Sequence, residues 1–391
     1  EMAAKGVGFL CVLALLALAD SSIAERSPAR MTLSSGLRLR GAGVSMRDRI
    51  VRTQSVEQMN TIVVSQKNRM KETLSDHLRG LAIDNPGMRD LEAIFSGIQS
   101  ACRSISDMVS KSGVQDLTGL AGTGENIQGE EQKKLDILSN EVFKDKLTKT
   151  GCMAFLGSEE EDQAVHIRGK YGGDYVAVFD PLDGSSNIDA AIAVGTIFGI
   201  YRAHGSQTFP LVKGDDQIAA GYCMYSTATI LVISLGKSVQ GFTLDHSSGD
   251  FVLTHPNIEI PKRGKIYSCN QGNAASWPDG LSRYFNAVTH GEGQSKSKYS
   301  LRYIGSMVGD MHRTLLYGGL FIYPADEKNK NGKLRLLYEA NPMSMLVEAA
   351  GGKASTGKER VLDLVPTQLH QRTPIFIGSA DDVDEVVSYL K

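Results

Sequence analysis

Apolar residues at Leu91, Ile94, Phe95, Ile98, Cys102 and Ile105 recur at helical spacing, the pattern of a helix that buries one face. Ahead of it, Asn85-Pro86-Gly87 breaks a polar, helix-compatible stretch running from Ser55 to Arg79. A second helix is predicted over Lys133 to Lys146, with Asp136 near its start, and the Gly-rich stretch Gly119 to Gly129 before it reads as a loop. Short runs of Tyr, Val, Ile and Phe predict buried strands at Tyr175 to Phe179, Gly195 to Tyr201 and Ile230 to Ser234. Phe242 to Leu244 and Phe251 to Thr254 flank Asp245-His246-Ser247-Ser248-Gly249-Asp250, a hairpin signature. Many strands with interspersed helices predict an α/β fold of the α+β layered kind. The hairpin region ends near Pro261 to Gly264, which places a boundary between an N-terminal domain, 57–261, and a C-terminal domain, 262–391.

The first residues follow a different pattern. Val7 to Ala19 is almost wholly apolar, too short for a membrane span of about 20 residues but suited to a signal-peptide core. Lys5 supplies a basic start, Met2 an initiator, and Ser22 and Ala24 the small residues of a cleavage site, so 1–24 is expected to be a signal peptide. From Glu25 to Val56 the chain carries seven arginines and only two acids, a transit-peptide composition over 25–56. The two segments in series resemble the two-part presequence that reaches plastids through the endomembrane system; simple secretion and a cytoplasmic location are the alternatives.

Composition narrows the classes of function. With 391 residues, 41% of them hydrophobic, the chain can bury a core large enough for two domains. Its formal net charge of -2 offers no basic face for a nucleic acid, and no membrane partner is expected of the mature form. A small polar substrate is the better reading. Cys11, Cys102, Cys152, Cys223 and Cys269 show no metal-ligand spacing.

The candidate chemistry sits in Asp180-Pro181-Leu182-Asp183-Gly184-Ser185-Ser186, directly after a predicted strand, where α/β proteins place ligands. Hard cations need oxygen ligands of this type. Pro181 is expected to form a turn between the two carboxylates, and Gly184 lets backbone approach a bound group. Ser185 and Ser186 can offer amides and hydroxyls to a phosphate. The plain alternative is an Asp-Gly-Ser turn that merely links two elements. Further acids at Asp136, Glu159, Glu160 and Glu339 follow or precede apolar stretches in the same way.

Together with Gly195-Thr196-Ile197-Phe198-Gly199-Ile200-Tyr201-Arg202, Arg302-Tyr303-Ile304-Gly305-Ser306-Met307 and Asn331 to Glu339, these motifs resemble class I fructose-1,6-bisphosphatases, of the lithium-sensitive sugar and inositol phosphatase superfamily. The resemblance spans about Asp90 to Tyr389. It implies a two-domain, five-layer αβαβα sugar phosphatase fold and hydrolysis of a sugar bisphosphate at its 1-phosphate. It further implies that Glu159, Asp180, Asp183, Glu339 and the carbonyl of Leu182 hold Mg²⁺, with Mn²⁺ or Zn²⁺ as alternatives, and that Asp136 and Glu160 accept a proton from the attacking water. Asn270, Tyr303, Tyr323 and Lys333 correspond to residues that hold the 6-phosphate and sugar, Met307 packs on the sugar, and Arg335 lies near the reacting phosphate. Arg302 matches an arginine that reaches a neighbouring subunit's site, in a homotetramer.

Three positions and one loop depart from that pattern. Asn273 stands where many relatives have a tyrosine that touches the 6-phosphate. Asp174-Tyr175 replaces a Lys-Tyr pair that binds inhibitory AMP in animal members, and Glu92 replaces a threonine, although Arg202 is retained; weak AMP inhibition is expected. Ala203 to Ile218 lacks the cysteine-bearing insertion of land-plant plastid members, so their thioredoxin switch is expected to be missing. The alternative activities are a sedoheptulose-1,7-bisphosphatase and an inositol monophosphatase-like enzyme, and outside catalysis a sugar-phosphate-binding regulator.

Overall fold

The computed structural model describes residues 71–125 and 131–391. The predicted signal and transit segments and the greater part of the Ser55 to Arg79 stretch lie outside the described residues.

Helix α1 (Leu74–Asp84) opens with a capping box in which Thr73 and Asp76 satisfy each other's backbone N–H groups. A single 3-10 turn, Pro86–Met88, separates it from helix α2 (Arg89–Ser110), whose Leu91 to Ile105 stripe is buried as predicted. Part of the predicted Gly-rich loop is instead strand β1 (Leu120–Glu125), paired antiparallel with β2 (Glu131–Lys133). Leu-Ala-Gly-Thr-Gly-Glu has no apolar alternation to announce a strand; backbone pairing to β2 forms it. Strand β2 runs directly into helix α3 (Lys134–Lys149).

Eight strands follow: β3 (Met153–Ser158), β4 (Val165–His166), β5 (Tyr175–Asp183), β6 (Val194–Arg202), β7 (Ala219–Tyr225), β8 (Thr229–Ser234), β9 (Val239–Asp245) and β10 (Asp250–His255). They form one sheet in the order β10-β9-β8-β7-β6-β5-β3-β4, antiparallel except where β3 lies parallel to β5. The predicted hairpin closes with Asp245 opposite Asp250.

The chain continues through β11 (Ile266–Ser268), α4 (Asp279–His290), β12 (Ser300–Leu301), α5 (Met307–Tyr317), β13 (Leu320–Tyr323), β14 (Leu334–Arg335), α6 (Asn341–Ala349), β15 (Lys353–Ser355), β16 (Arg372–Thr373), β17 (Ile375–Gly378) and α7 (Ala380–Leu390). Five of these strands form a second sheet, β12-β11-β13-β17-β15, while β14 and β16 make a separate ladder. The change from one sheet to the other falls between His255 and Ile266.

Three apolar clusters define the layers. Helices α1, α2 and α3 pack on one face of the large sheet; α5 and α6 fill the space between the two sheets; α4 and α7 cover the outer face of the small sheet. The result is a five-layer αβαβα arrangement. Strand β5 is buried on both faces: Tyr175, Ala177 and Phe179 join the helix-side cluster, and Val176 and Val178 pack with Leu337 and Tyr338 on the other. Burial of each such large side chain stabilises by roughly 1.5–3 kcal/mol, so this strand is a rigid base for whatever it carries at its end.

What it carries differs from expectation. Asp180-Pro181-Leu182-Asp183 is not a turn but the last part of β5. Asp180 pairs with Ile197 and Asp183 with Gly195, so one extra residue on β5 makes a β-bulge. A bulge is where a strand tolerates Pro181, which has no N–H to give the ladder, and the Thr196 hydroxyl donates to the Pro181 carbonyl at 2.9 Å.

Candidate active site

Four separate segments deliver the predicted acidic side chains to one cavity of about 440 Å³. The β5 bulge brings Asp180 and Asp183, both buried. Adjacent and parallel, β3 ends at Glu159 and Glu160, where the Glu159 N–H donates to the Phe179 carbonyl at 3.1 Å. The first turn of α3 brings buried Asp136, whose carboxylate accepts from the Lys133 N–H at 2.8 Å. Glu339 comes from a single π-helical turn, Leu336–Ala340, ahead of α6. Such turns often mark functional positions, and this one folds Glu339 back to accept from the Arg335 N–H at 2.5 Å. The start of α5 donates to Asp183 through the Ser306 hydroxyl and the Val308 N–H, each at 2.9 Å.

Beyond the bulge, Gly184 adopts φ +74°, and a Cβ there would lie 2.6 Å from the Ser306 Cβ. Only glycine fits both demands. Ser185 to Ala190 then forms a short 3-10 helix, and Asp189 at its end accepts from the Gly119 N–H and from Lys133 Nζ, both at 3.0 Å. That contact ties the turn to the hairpin that launches α3.

Carboxylate oxygens of Asp180, Asp183 and Glu339 all lie within 4.8 Å of one another. Burial, then the neighbouring charges of Glu159, Asp183 and Glu339, push Asp180 well above the usual carboxylate range. Burial raises Asp183 to about 6 against its two α5 donors, and raises Glu339 to about 8 against the opposing Arg335 charge. Asp136 is raised to about 7, again by burial first. A set of hard oxygen donors held together against their own repulsion fits a divalent cation. Arg335, itself buried, pairs with Glu159 at 2.5 Å and lies 3.8 Å from Glu339.

The same cavity is lined by Leu182, Gly184, Ser185, Ser186, Tyr303, Met307, Tyr323, Lys333 and Arg335. Two predicted residues do not line it. Asn270 uses its side-chain oxygen locally, accepting from the Gly272 N–H at 3.2 Å as the cap of a 3-10 helix. Arg302 is exposed and donates to the Leu301 carbonyl at 2.9 Å. Lys133, Ser306, Asp310 and Phe321 also line the cavity without having been singled out. Ser306 belongs to the Arg302 to Met307 motif, and Lys133 stands three residues before Asp136; the other two carry no signal that separates them from core. Asp310 is fully buried and shapes the wall by accepting from the Ile304 and Gly305 N–H groups.

Residues 62–256 match the family model described as Fructose-1-6-bisphosphatase, N-terminal domain, and 260–391 match that of its C-terminal domain. The chain belongs to the fructose-1,6-bisphosphatase family. Among members of this family, it is 52% identical over 319 residues to a cytosolic enzyme of Saccharum hybrid, covering 80% of this chain and 92% of that one. It is 51% identical over 319 residues to a chloroplastic one of Brassica napus, covering 77% of each. The crystal structure of Leishmania major fructose-1,6-bisphosphatase in holo form aligns with a TM-score of 0.77 at 42% identity, covering 82% of this chain and 99% of that one.

The raised carboxyls set a pH dependence of stability. Their folded pKa values, about 6 for Asp183 and about 8 for Glu339, exceed the unfolded values of about 4. The folded state thus binds protons more tightly, and its stability falls as pH rises from about 4 to about 8. In EDTA the melting temperature should drop across this window, and MgCl₂ should restore several degrees at pH 8 and less at pH 5. Differential scanning fluorimetry reads both; a melting temperature independent of pH and of MgCl₂ would contradict this account.

Proposed function

We propose that this chain hydrolyses fructose 1,6-bisphosphate to fructose 6-phosphate and phosphate, on the observation that one cavity joins the buried carboxylates of Asp180, Asp183 and Glu339 to Lys333, Tyr303 and Tyr323. Asp180, Asp183, Glu159, Glu339 and the Leu182 carbonyl would hold Mg²⁺. When bound, the cation supplies neutralisation of phosphoryl oxygens and of the leaving sugar alkoxide.

The chain's own groups do the rest. Lys333 and the hydroxyls of Tyr303 and Tyr323 bind the 6-phosphate, and Met307 packs against the sugar. Arg335 gives charged N–H donors to the 1-phosphate. Ser185 and Ser186 offer hydroxyls to the same group. Water attacks phosphorus as the bond from phosphorus to the sugar oxygen breaks, and its proton passes to Asp136, aided by Glu160. We assign Arg302, exposed on its own subunit, to a neighbour's cavity in a homotetramer, and Asn270 to the cavity's rim in the same assembly.

Phosphate release with MgCl₂ tests the reading. Fructose 1,6-bisphosphate should give a higher kcat/KM than sedoheptulose 1,7-bisphosphate, and EDTA should abolish turnover. Asp136→Asn should lower kcat about 100- to 10,000-fold with KM little changed. The wild-type profile should rise with pH through about 7, where Asp136 loses its proton. No release under any of these conditions would leave a sugar-phosphate-binding regulator.

The nucleotide-site residues are already occupied with one another. Asp174 accepts from the Gly205 N–H at 3.0 Å and lies 3.8 Å from Arg202, whose guanidinium sits over the Tyr175 ring at 4.7 Å. A phosphate brought to Arg202 meets the Asp174 charge. Micromolar AMP should therefore leave the rate unchanged, and Asp174→Lys should increase sensitivity; half-inhibition of the wild type at micromolar AMP would refute the idea.

Chloroplastic and cytosolic relatives are both similar to this chain. We read the apolar and Arg-rich leader as a route to the plastid through the endomembrane system, with Mg²⁺ as the metal there. A fluorescent protein fused after residue 56 should reach plastids in algal cells that have secondary plastids, and secretion of the fusion would overturn this.

A further inference from the structure

A second cavity, of about 760 Å³, lies in the C-terminal part of the chain, apart from every residue given a role above. Its walls come from the start of α4, the segment after β13, the turn after β15 and the residues around β16. Five cationic side chains line it, Arg283, Lys330, Lys358, Arg372 and Lys391, against one acidic side chain, Glu359. Among the described residues none of the five has an ion-pair partner. By contrast Arg360, close by in sequence, pairs with Asp215, Glu348 and Asp363. Uncompensated cations collected around a concavity point to an anion.

The floor is apolar, with Leu281, Pro374, Phe376 and Leu390 among the lining residues. The turn after β15 is seated closely on it, since a Cβ on Gly357 would lie 3.1 Å from both the Phe376 ring and Leu390. The 12-residue helix α4 also begins at this wall, with Pro278 and Gly280 among the lining residues, adding the positive end of its dipole. A cationic rim over an apolar floor fits an anion with an apolar body. Arginine and lysine together with a helix start favour phosphate as the charged head.

We propose that this cavity is a binding site for a small organic phosphate, separate from the catalytic cavity. The two are neighbours through one ladder. Leu334 and Arg335 of β14 line the catalytic cavity, and their partners Thr373 and Arg372 of β16 line this one.

The chain has a single tryptophan, Trp277, which directly precedes the wall residue Pro278 and packs tilted against Phe285, ring centroids 4.9 Å apart. Its fluorescence is therefore a local probe. The full chain is titrated with phenylphosphonate, whose carbon–phosphorus bond is not a phosphatase substrate, with saturating fructose 6-phosphate present to fill the catalytic cavity. A saturable change is expected, with benzyl alcohol, the neutral analogue, at least tenfold weaker. Arg283→Gln combined with Lys358→Gln should weaken phenylphosphonate about tenfold. Both residues are exposed, and an unchanged kcat on fructose 1,6-bisphosphate would show that the variant is folded. No saturable change, equal affinity for the neutral analogue, or undiminished binding by the double variant would each overturn the proposal.

Discussion

The constraint that the rest of this structure depends on is the confinement of like charges. Asp180, Asp183 and Glu339 are buried with carboxylate oxygens inside 4.8 Å of one another, in surroundings where water no longer screens them. Left to itself such a cluster would spread apart or take up protons. Here the surrounding elements are too well packed to yield. Strand β5 is buried on both faces, the π-helical turn with Glu339 is buried throughout, and α5 grips Asp183 with two donors. Cores of native density do not relax by an ångström to relieve local strain. The destabilisation is thereby stored where a cation can release it, a common relation between stability and function.

Much of the fold was legible because apolar periodicity reports burial directly. The stripe from Leu91 to Ile105 could only be a helix against a core, and the Tyr175 to Phe179 run could only be a buried strand. Where side-chain pattern is weak, the reading failed for a definite reason. Strand β1 is rich in glycine and held by backbone pairing alone in its sequence signal. The Asp180 to Asp183 segment has the composition of a turn, and only the register of β6 against it shows that it is a bulge. A bulge serves better than a turn here, since it keeps both carboxylates on a strand anchored from Tyr175 onward.

The site was legible in a different sense. Asp180 and Asp183 announce themselves by spacing, but Asp136, Glu159, Glu160 and Glu339 lie far apart in the chain, and nothing in single-sequence pattern brings them together. Family resemblance located them, and the topology explains the meeting: parallel β3 and β5 end side by side, α3 starts beside them because Asp189 ties its hairpin to the turn after β5, and the π-helical turn returns Glu339 to the same place. Asn270 and Arg302 show the limit of that transfer. In this chain both side chains are engaged locally, and neither lines the cavity.

Arg335 links the two halves of the chemistry. Buried arginine is costly without anionic partners, and its guanidinium finds them in Glu159 and Glu339, both also assigned to the cation. The same side chain is assigned to the substrate's reacting phosphate. These assignments would be compatible if a cation held by Glu159 and Glu339 neutralised them, which would leave the Arg335 donors available to a phosphate anion. Binding of metal and binding of substrate would then be coupled through one residue, because each would leave the other's partner uncompensated. A cation on those carboxylates and a phosphate on that guanidinium would each favour the other, the coupling a metal-assisted phosphatase needs.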